Sequence, residues 1–133
     1  MIRYGFTKVF NADFNTTLEA VQSQLSNQGF GVLTSIDLQA KLKEELETDI
    51  SKYTILGACN PKMAYKAIQA EECIGLLLPC NVVVIEKEGK TAVSAVRPSV
   101  AMQMIDNPKL HSVAVSVEQS LYKVLKSIQL SEE

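Results

Sequence analysis

Between Leu56 and Glu86 the chain reads LGACNPKMAYKAIQAEECIGLLLPCNVVVIE, and that order of residues leaves few ways to fold. A β-rich run stops at an Asn-Pro pair, a helical stretch follows, and a second β-rich run carries a Pro-Cys-Asn step. Asn60 is suited to accept backbone N–H bonds as an N-cap, and Pro61 suits the first helical position, where its missing N–H costs nothing. Tyr53 to Cys59 is therefore expected as a strand and Pro61 to about Ala70 as a helix.

The flanking segments extend this unit in both directions. Ile2, Tyr4, Phe6, Lys8 and Phe10 share one parity, the alternation of a strand with one buried face. Thr16 and Glu19 have the spacing of a capping box, Leu18, Val21 and Leu25 recur at helical intervals, and Gly29 stands where a left-handed stop is wanted. Phe30 to Ile36 reads as a second strand, after which Asp37 is placed to cap a charged helix to about Leu46. Leu76 to Lys87 and Lys90 to Val96 flank Glu88-Gly89 and are expected as a hairpin. Arg97-Pro98-Ser99 breaks the second of these strands and starts a short turn through Met104. Asn-Pro-Lys then returns at 107–109 ahead of a long helix with Leu110, Val113, Val117, Leu121, Val124 and Ile128 as its apolar stripe. The expected architecture is α+β, a mainly antiparallel sheet with helices packed on one face.

At 133 residues and 47% hydrophobic content, the chain suits a single domain, 1–133, around one core. Its net charge is −2 and its cations are scattered among acids, so no basic stripe exists for a phosphate backbone and nucleic acid is not expected as a partner. The apolar runs are strand-sized, so no membrane association is expected, and the first ten residues lack the pattern of a secretory signal. Three cysteines without paired spacing suit a reducing compartment, and a cytoplasmic location is the expectation.

Chemistry-bearing residues are few. Cys59 sits just before a helix start, whose free N–H groups and dipole favour a thiolate; its plain alternative is a small apolar residue ending a buried strand. Cys80 follows Pro79 in a hydrophobic strand, where proline marks an edge or bulge, either a binding notch or a structural kink. Cys59, Cys73, Cys80 and His111 contain no local chelating pair, so no metal site is expected, and no cofactor is implied. Arg97 is the best-placed cation for an anionic ligand, with a solvent-facing role as the plain account. Gly29-Phe30-Gly31 follows a helix and opens a strand, the reverse of a phosphate-binding loop. Met102, Met104 and Ile105 suggest an exposed apolar cluster or core packing.

Taken together, QGFGVLTSIDLQAKLKEEL, YTILGACNPKMAYKAI and IGLLLPCNVVVIEKEGKTAVSAVRPS resemble the family called domain of unknown function 302, from about Tyr4 to Leu125. The shared features are Gly29-Phe30 at a strand start, Asn60-Pro61 at a helix start, and Leu78 to Asn81 at a strand. The resemblance implies a TATA-binding-protein-like fold of β-α-β(4)-α type, frequently dimeric, with Asn60, Pro61, Pro79, Cys80 and Asn81 as a recurrent surface feature. It implies no activity. The expected function is a small homodimeric binding or accessory module, not an enzyme. Its ligand, small and anionic or apolar, would be held by Asn60, Pro61, Pro79, Cys80, Asn81 and Arg97. The alternative is a thiol-dependent enzyme or sulfur carrier with Cys80 or Cys59 as nucleophile.

Overall fold

A computed structural model describes residues 2–133. Its elements in chain order are β1 (Gly5–Phe10), α1 (Phe14–Asn27), β2 (Gly31–Asp37), α2 (Leu38–Leu46), β3 (Tyr53–Cys59), α3 (Pro61–Ala70), a 3₁₀ segment (Glu72–Leu77), β4 (Cys80–Lys87), β5 (Lys90–Val96), α4 (Pro98–Ala101) and α5 (Pro108–Lys126). The strands form one sheet in the order β1-β5-β4-β3-β2, and every neighbouring pair is antiparallel. The α+β class and the β-α-β(4)-α order are those expected, with α2, α3 and α4 as insertions.

The core follows from strand alternation. Leu56, Val82 and Ala95 stand in register across β3, β4 and β5, and each is buried. They pack with Phe10 and Val93 against Val21 and Leu25 of α1 and Leu121, Val124 and Leu125 of α5. A second cluster joins Ala67 of α3, Ile74, Met102, and Leu110 and Ala114 of α5. The helices lie on one side of the sheet.

Local expectations met a mixed outcome. Asp37 caps α2, accepting the Ala40 N–H at 3.0 Å. Asn107 caps α5 by accepting the Lys109 and Leu110 N–H groups, while its Nδ2 donates to the Ala70 carbonyl at 2.7 Å and to Glu71 Oε1 at 3.1 Å. One asparagine thus starts α5 and ties it to the end of α3. The capping box at Thr16 and Glu19 is corrected: Asp13 is the cap, accepting the Thr16 N–H at 2.7 Å, and α1 begins one turn earlier with Phe14 buried. The first strand begins at Gly5, not Ile2. The strand expected from Leu76 begins only at Cys80, because Leu76 and Leu77 end a 3₁₀ segment and the Leu78–Pro79 peptide bond, which is cis, precedes the ladder.

The two sheet edges differ. At β1, the end of the chain folds back: Asn11 N–H donates to the Ser131 carbonyl at 2.7 Å and Glu133 N–H to the Val9 carbonyl at 2.9 Å. Lys8 pairs with Glu132 at 2.7 Å and Lys90 with Glu133 at 2.8 Å. At the other edge, all seven residues of β2 are exposed and α2 buries none of its own.

Candidate functional site

The residues singled out around Cys59–Pro61 and Pro79–Asn81 meet because β3 and β4 are adjacent and antiparallel. Ala58 stands opposite Cys80 and Gly57 opposite Asn81, so the end of one strand lies against the start of the other. Gly57 makes this approach close: a Cβ there would collide with Thr34 Oγ1 and lie 2.7 Å from Pro79 Cγ.

Two adjoining spaces result. The inner one is a cavity of about 30 Å³ between the sheet, α3 and α5, lined by Cys59, Asn60, Met63, Cys80 and Met102 among others. Alanines 58, 64, 67 and 114 also line it, and their short side chains leave the centre unfilled. The outer one is a cleft of about 270 Å³ formed by Leu76 to Asn81 with Val96, Pro98, Ala101 and Met102. Leu78, Cys80, Pro98 and Met102 border both spaces and form the partition between them. Met102 is only 5% exposed, so the exposed apolar cluster suggested for it is corrected; Met104 alone of that group stands out into solvent.

The partition is held in place from α5. Glu118 Oε1 accepts the Ser99 N–H at 3.0 Å and the Ser99 hydroxyl at 2.6 Å, and its Oε2 accepts from Arg97 Nε at 3.3 Å. These bonds fix α4, and with it Pro98 and Met102, over the cavity. They also account for Arg97. Its guanidinium is engaged by Glu118, donates to the Arg3 carbonyl at 3.2 Å and lies over the Phe6 ring at 5.4 Å. It borders a separate groove of about 420 Å³ between β1 and α5, away from Asn60 and Asn81.

The helix start at Asn60 is capped by that residue's own side chain. Asn60 Oδ1 accepts the Met63 N–H at 3.3 Å, and Pro61 is exposed at the first position of α3. The cap takes one N–H of α3, and Arg97 is paired with Glu118 beside the other groove, so the two do not converge on one anion. Asn81 is exposed at the cleft mouth, and Pro79 is half-buried.

Cys80 is 7% exposed. Burial, and secondarily the neighbouring Cys59, push its thiol up to about 11, because an apolar surround penalises the thiolate, which weighs against Cys80 as a nucleophile. Cys59 is half-buried and Cys73 exposed. Alkylation at pH 7 to 9 is expected to label Cys73 first and leave Cys80 unmodified in the folded protein. Mass mapping that finds Cys80 labelled as fast as Cys73 would refute its burial.

Met63, Leu78, Pro98 and Met102 are lining residues that sequence reasoning did not select. Met63 was within reach of it, since Met63 and the buried Ala67 are four apart on one face of α3. Pro98 and Met102 arrive because α4, the short turn expected after Arg97, packs across the sheet end, a placement that no local pattern sets.

Three comparisons bear on this arrangement. A family model described as Domain of unknown function DUF302 matches residues 6–128. Among solved structures, the chain is similar to an uncharacterized conserved DUF302 protein from Bacillus stearothermophilus, seen in a crystal structure. The two superpose with a TM-score of 0.89 and 28% identity over 96% of this chain and 100% of that one. No curated protein matches.

Proposed function

We propose, for a chain that belongs to the DUF302 family, that it is a dimeric binding or accessory module taking a small, apolar ligand in the cleft before Pro79–Asn81. The observation that carries this reading is the cleft itself: a concave space between Leu76 and Ala101 with an unfilled apolar cavity behind its wall. Ligand sites are commonly concave and mostly apolar, with a few polar groups at the mouth that orient what binds. Asn81 supplies such a group, offering both a donor and an acceptor. The apolar member of the expected ligand classes is favoured because, among the described residues, no charged side chain borders the cleft, whose wall is built largely from Leu76 to Leu78, Val96, Pro98 and Met102.

The test uses 1-anilinonaphthalene-8-sulfonate, whose fluorescence rises in apolar surroundings. Saturable binding to the native protein is expected, together with roughly tenfold or greater weakening in Ala101→Trp, whose ring fills the cleft, at an unchanged melting midpoint. Equal binding by the two proteins would remove the cleft as the site.

The exposure of Val32, Leu33, Ile36 and Leu46 favours β2 and α2 as the surface that meets the second copy of the chain. Exposed apolar residues on an edge strand and its following helix are what a partner surface presents. Light scattering is expected to give twice the chain mass for the native protein and the single mass for Leu33→Asp; a monomeric native protein would overturn this placement.

A further inference from the structure

Because the helices lie on one side of the sheet, the strand registers say which side chains face the other way. Leu56, Val82 and Ala95 stand in register and pack into the helical layer. Side chains alternate along a strand, so the residues between these point away from the helices. Two rows then cross the uncovered face. The first runs Ile36, Ile55, Val83, Ser94 and Thr7 from β2 to β1. The second runs Tyr53, Ile85, Ala92 and Val9 from β3 to β1. None of these residues belongs to either core cluster.

An antiparallel sheet with one face in water normally alternates apolar inside and polar outside. Here the outward rows are apolar as well. They hold no charged side chain, and their two hydroxyls, on Thr7 and Ser94, already bond each other at 2.7 Å, so covering them strands little polar surface. A single soluble chain rarely leaves an apolar area of more than a few hundred Å² facing water.

We propose, building on the reading of the chain as a dimer, that the contact with the second copy extends from β2 across this face, so that two sheets pack face to face. Area supports the extension. The β2 edge has seven residues, which at about 3.4 Å each and one strand spacing of about 4.8 Å cover on the order of 100 Å². Five strands of six to eight residues present on the order of 500 Å² on the open face. Edge and face together reach about 600 Å² per copy, the lower end for a specific pair, which the edge alone does not approach. Ile36 joins the two, being exposed on β2 and first in its row.

The composition of the face favours a copy of itself over other occupants. A two-fold contact lays a surface on its own duplicate, so a charge near the axis would meet its like. The two rows contain none. A phosphate backbone or an anionic lipid surface calls for cations. Lys87 and Lys90 stand only beyond the rows, paired at the hairpin end, and Lys90 is engaged by Glu133. Valine and isoleucine from two such faces interdigitate at the spacing of packed sheets, about 10 Å.

Sedimentation equilibrium on the full chain tests the proposal. The native protein is expected to be a dimer. Ile55→Thr with Val83→Thr keeps the branched shape that strands favour and leaves both core clusters intact. The pair should weaken the dimer roughly tenfold or more while the circular-dichroism spectrum stays native. Val83→Lys, which sets like charges across the axis, should give the single chain mass. Tyr53 supplies a readout without mutation. Its nitration by tetranitromethane should be slow where the dimer holds and rise on dilution below the dissociation constant, while the exposed Tyr65 reacts equally at both concentrations. A dimer as tight in the threonine pair as in the native protein, or nitration of Tyr53 independent of concentration, would overturn the proposal. Dissociation by Leu33→Asp but not by the threonine pair rejects the face and leaves the β2 edge standing, and a native protein monomeric at every concentration rejects both.

Discussion

Phe10→Ala is expected to cost about 4 kcal/mol of unfolding free energy, in line with large-to-small changes at fully buried aromatic positions. Phe10 has no exposed surface and lies at the end of β1 where the sheet meets α1 and α5. Removal of the ring forfeits its transfer energy and leaves a void that close-packed neighbours fill only in part. Its backbone also forms the bridge to Glu132, so a relaxing β1 would loosen the folded-back chain end. Urea unfolding followed by circular dichroism should show a lower midpoint at unchanged slope, and the melting temperature should fall by roughly 10–20 °C. A loss under about 1 kcal/mol would mean that the site collapses without a cavity, contrary to the packing described.

Gly57→Ala is expected to cost about 3 kcal/mol, the upper end for overpacking, although alanine is the smallest side chain that glycine can acquire. A Cβ at this position meets Thr34 Oγ1 on one side and Pro79 Cγ, at 2.7 Å, on the other. The threonine oxygen ends a short side chain on an exposed strand and is able to rotate away. The proline ring is fixed to the backbone just before β4 and has far less freedom. Thr34→Ala in the same chain should therefore restore only part of the loss, about 1 kcal/mol by a double-mutant cycle. Full restoration would show that Pro79 yields freely, and additive losses would show that Thr34 is not the obstacle. Because Pro79 borders the cleft, the single variant should also bind the fluorescent probe more weakly than the native protein.

How much of this was legible in the sequence depended on whether the cause was local. Tyr53–Cys59 and Pro61–Ala70 matched their expected bounds, because β-branched residues, an asparagine cap and a proline at the first helical position act within a few residues of chain. Asp13 and Thr16 show where local rules become ambiguous. Both residues are acceptable caps three positions apart, and the choice was made by the burial of Phe14 and Thr17, which is tertiary. Leu76 to Leu78 read as strand because a short apolar run fits a buried strand or a buried turn equally well; packing of Ile74 beside α3 and α5 favoured the turn. Cys59–Pro61 and Pro79–Asn81 were read as one patch, and the pairing of β3 with β4 sets the two segments side by side. The role of Arg97 was not, since its partner Glu118 lies 21 residues away on α5. Met63 and Met102 belong to the site only because α3 and α4 cross the same end of the sheet.

The unequal edges of the sheet govern how copies of this chain can assemble. Growth of a filament requires two different surfaces, one for the copy before and one for the copy after, whereas a two-fold contact uses one surface twice and closes. Residues 131–133 already occupy part of the β1 border, held by two ion pairs that are exposed and so weakened by salt. An incoming strand would have to displace them before pairing along β1. That leaves β2 as the more open border, and an association through β2 alone terminates at two copies. High ionic strength loosens the grip of Lys8 and Lys90 on this segment but leaves its backbone bonds to Asn11 and Val9, so salt alone is expected not to open the β1 border to another strand.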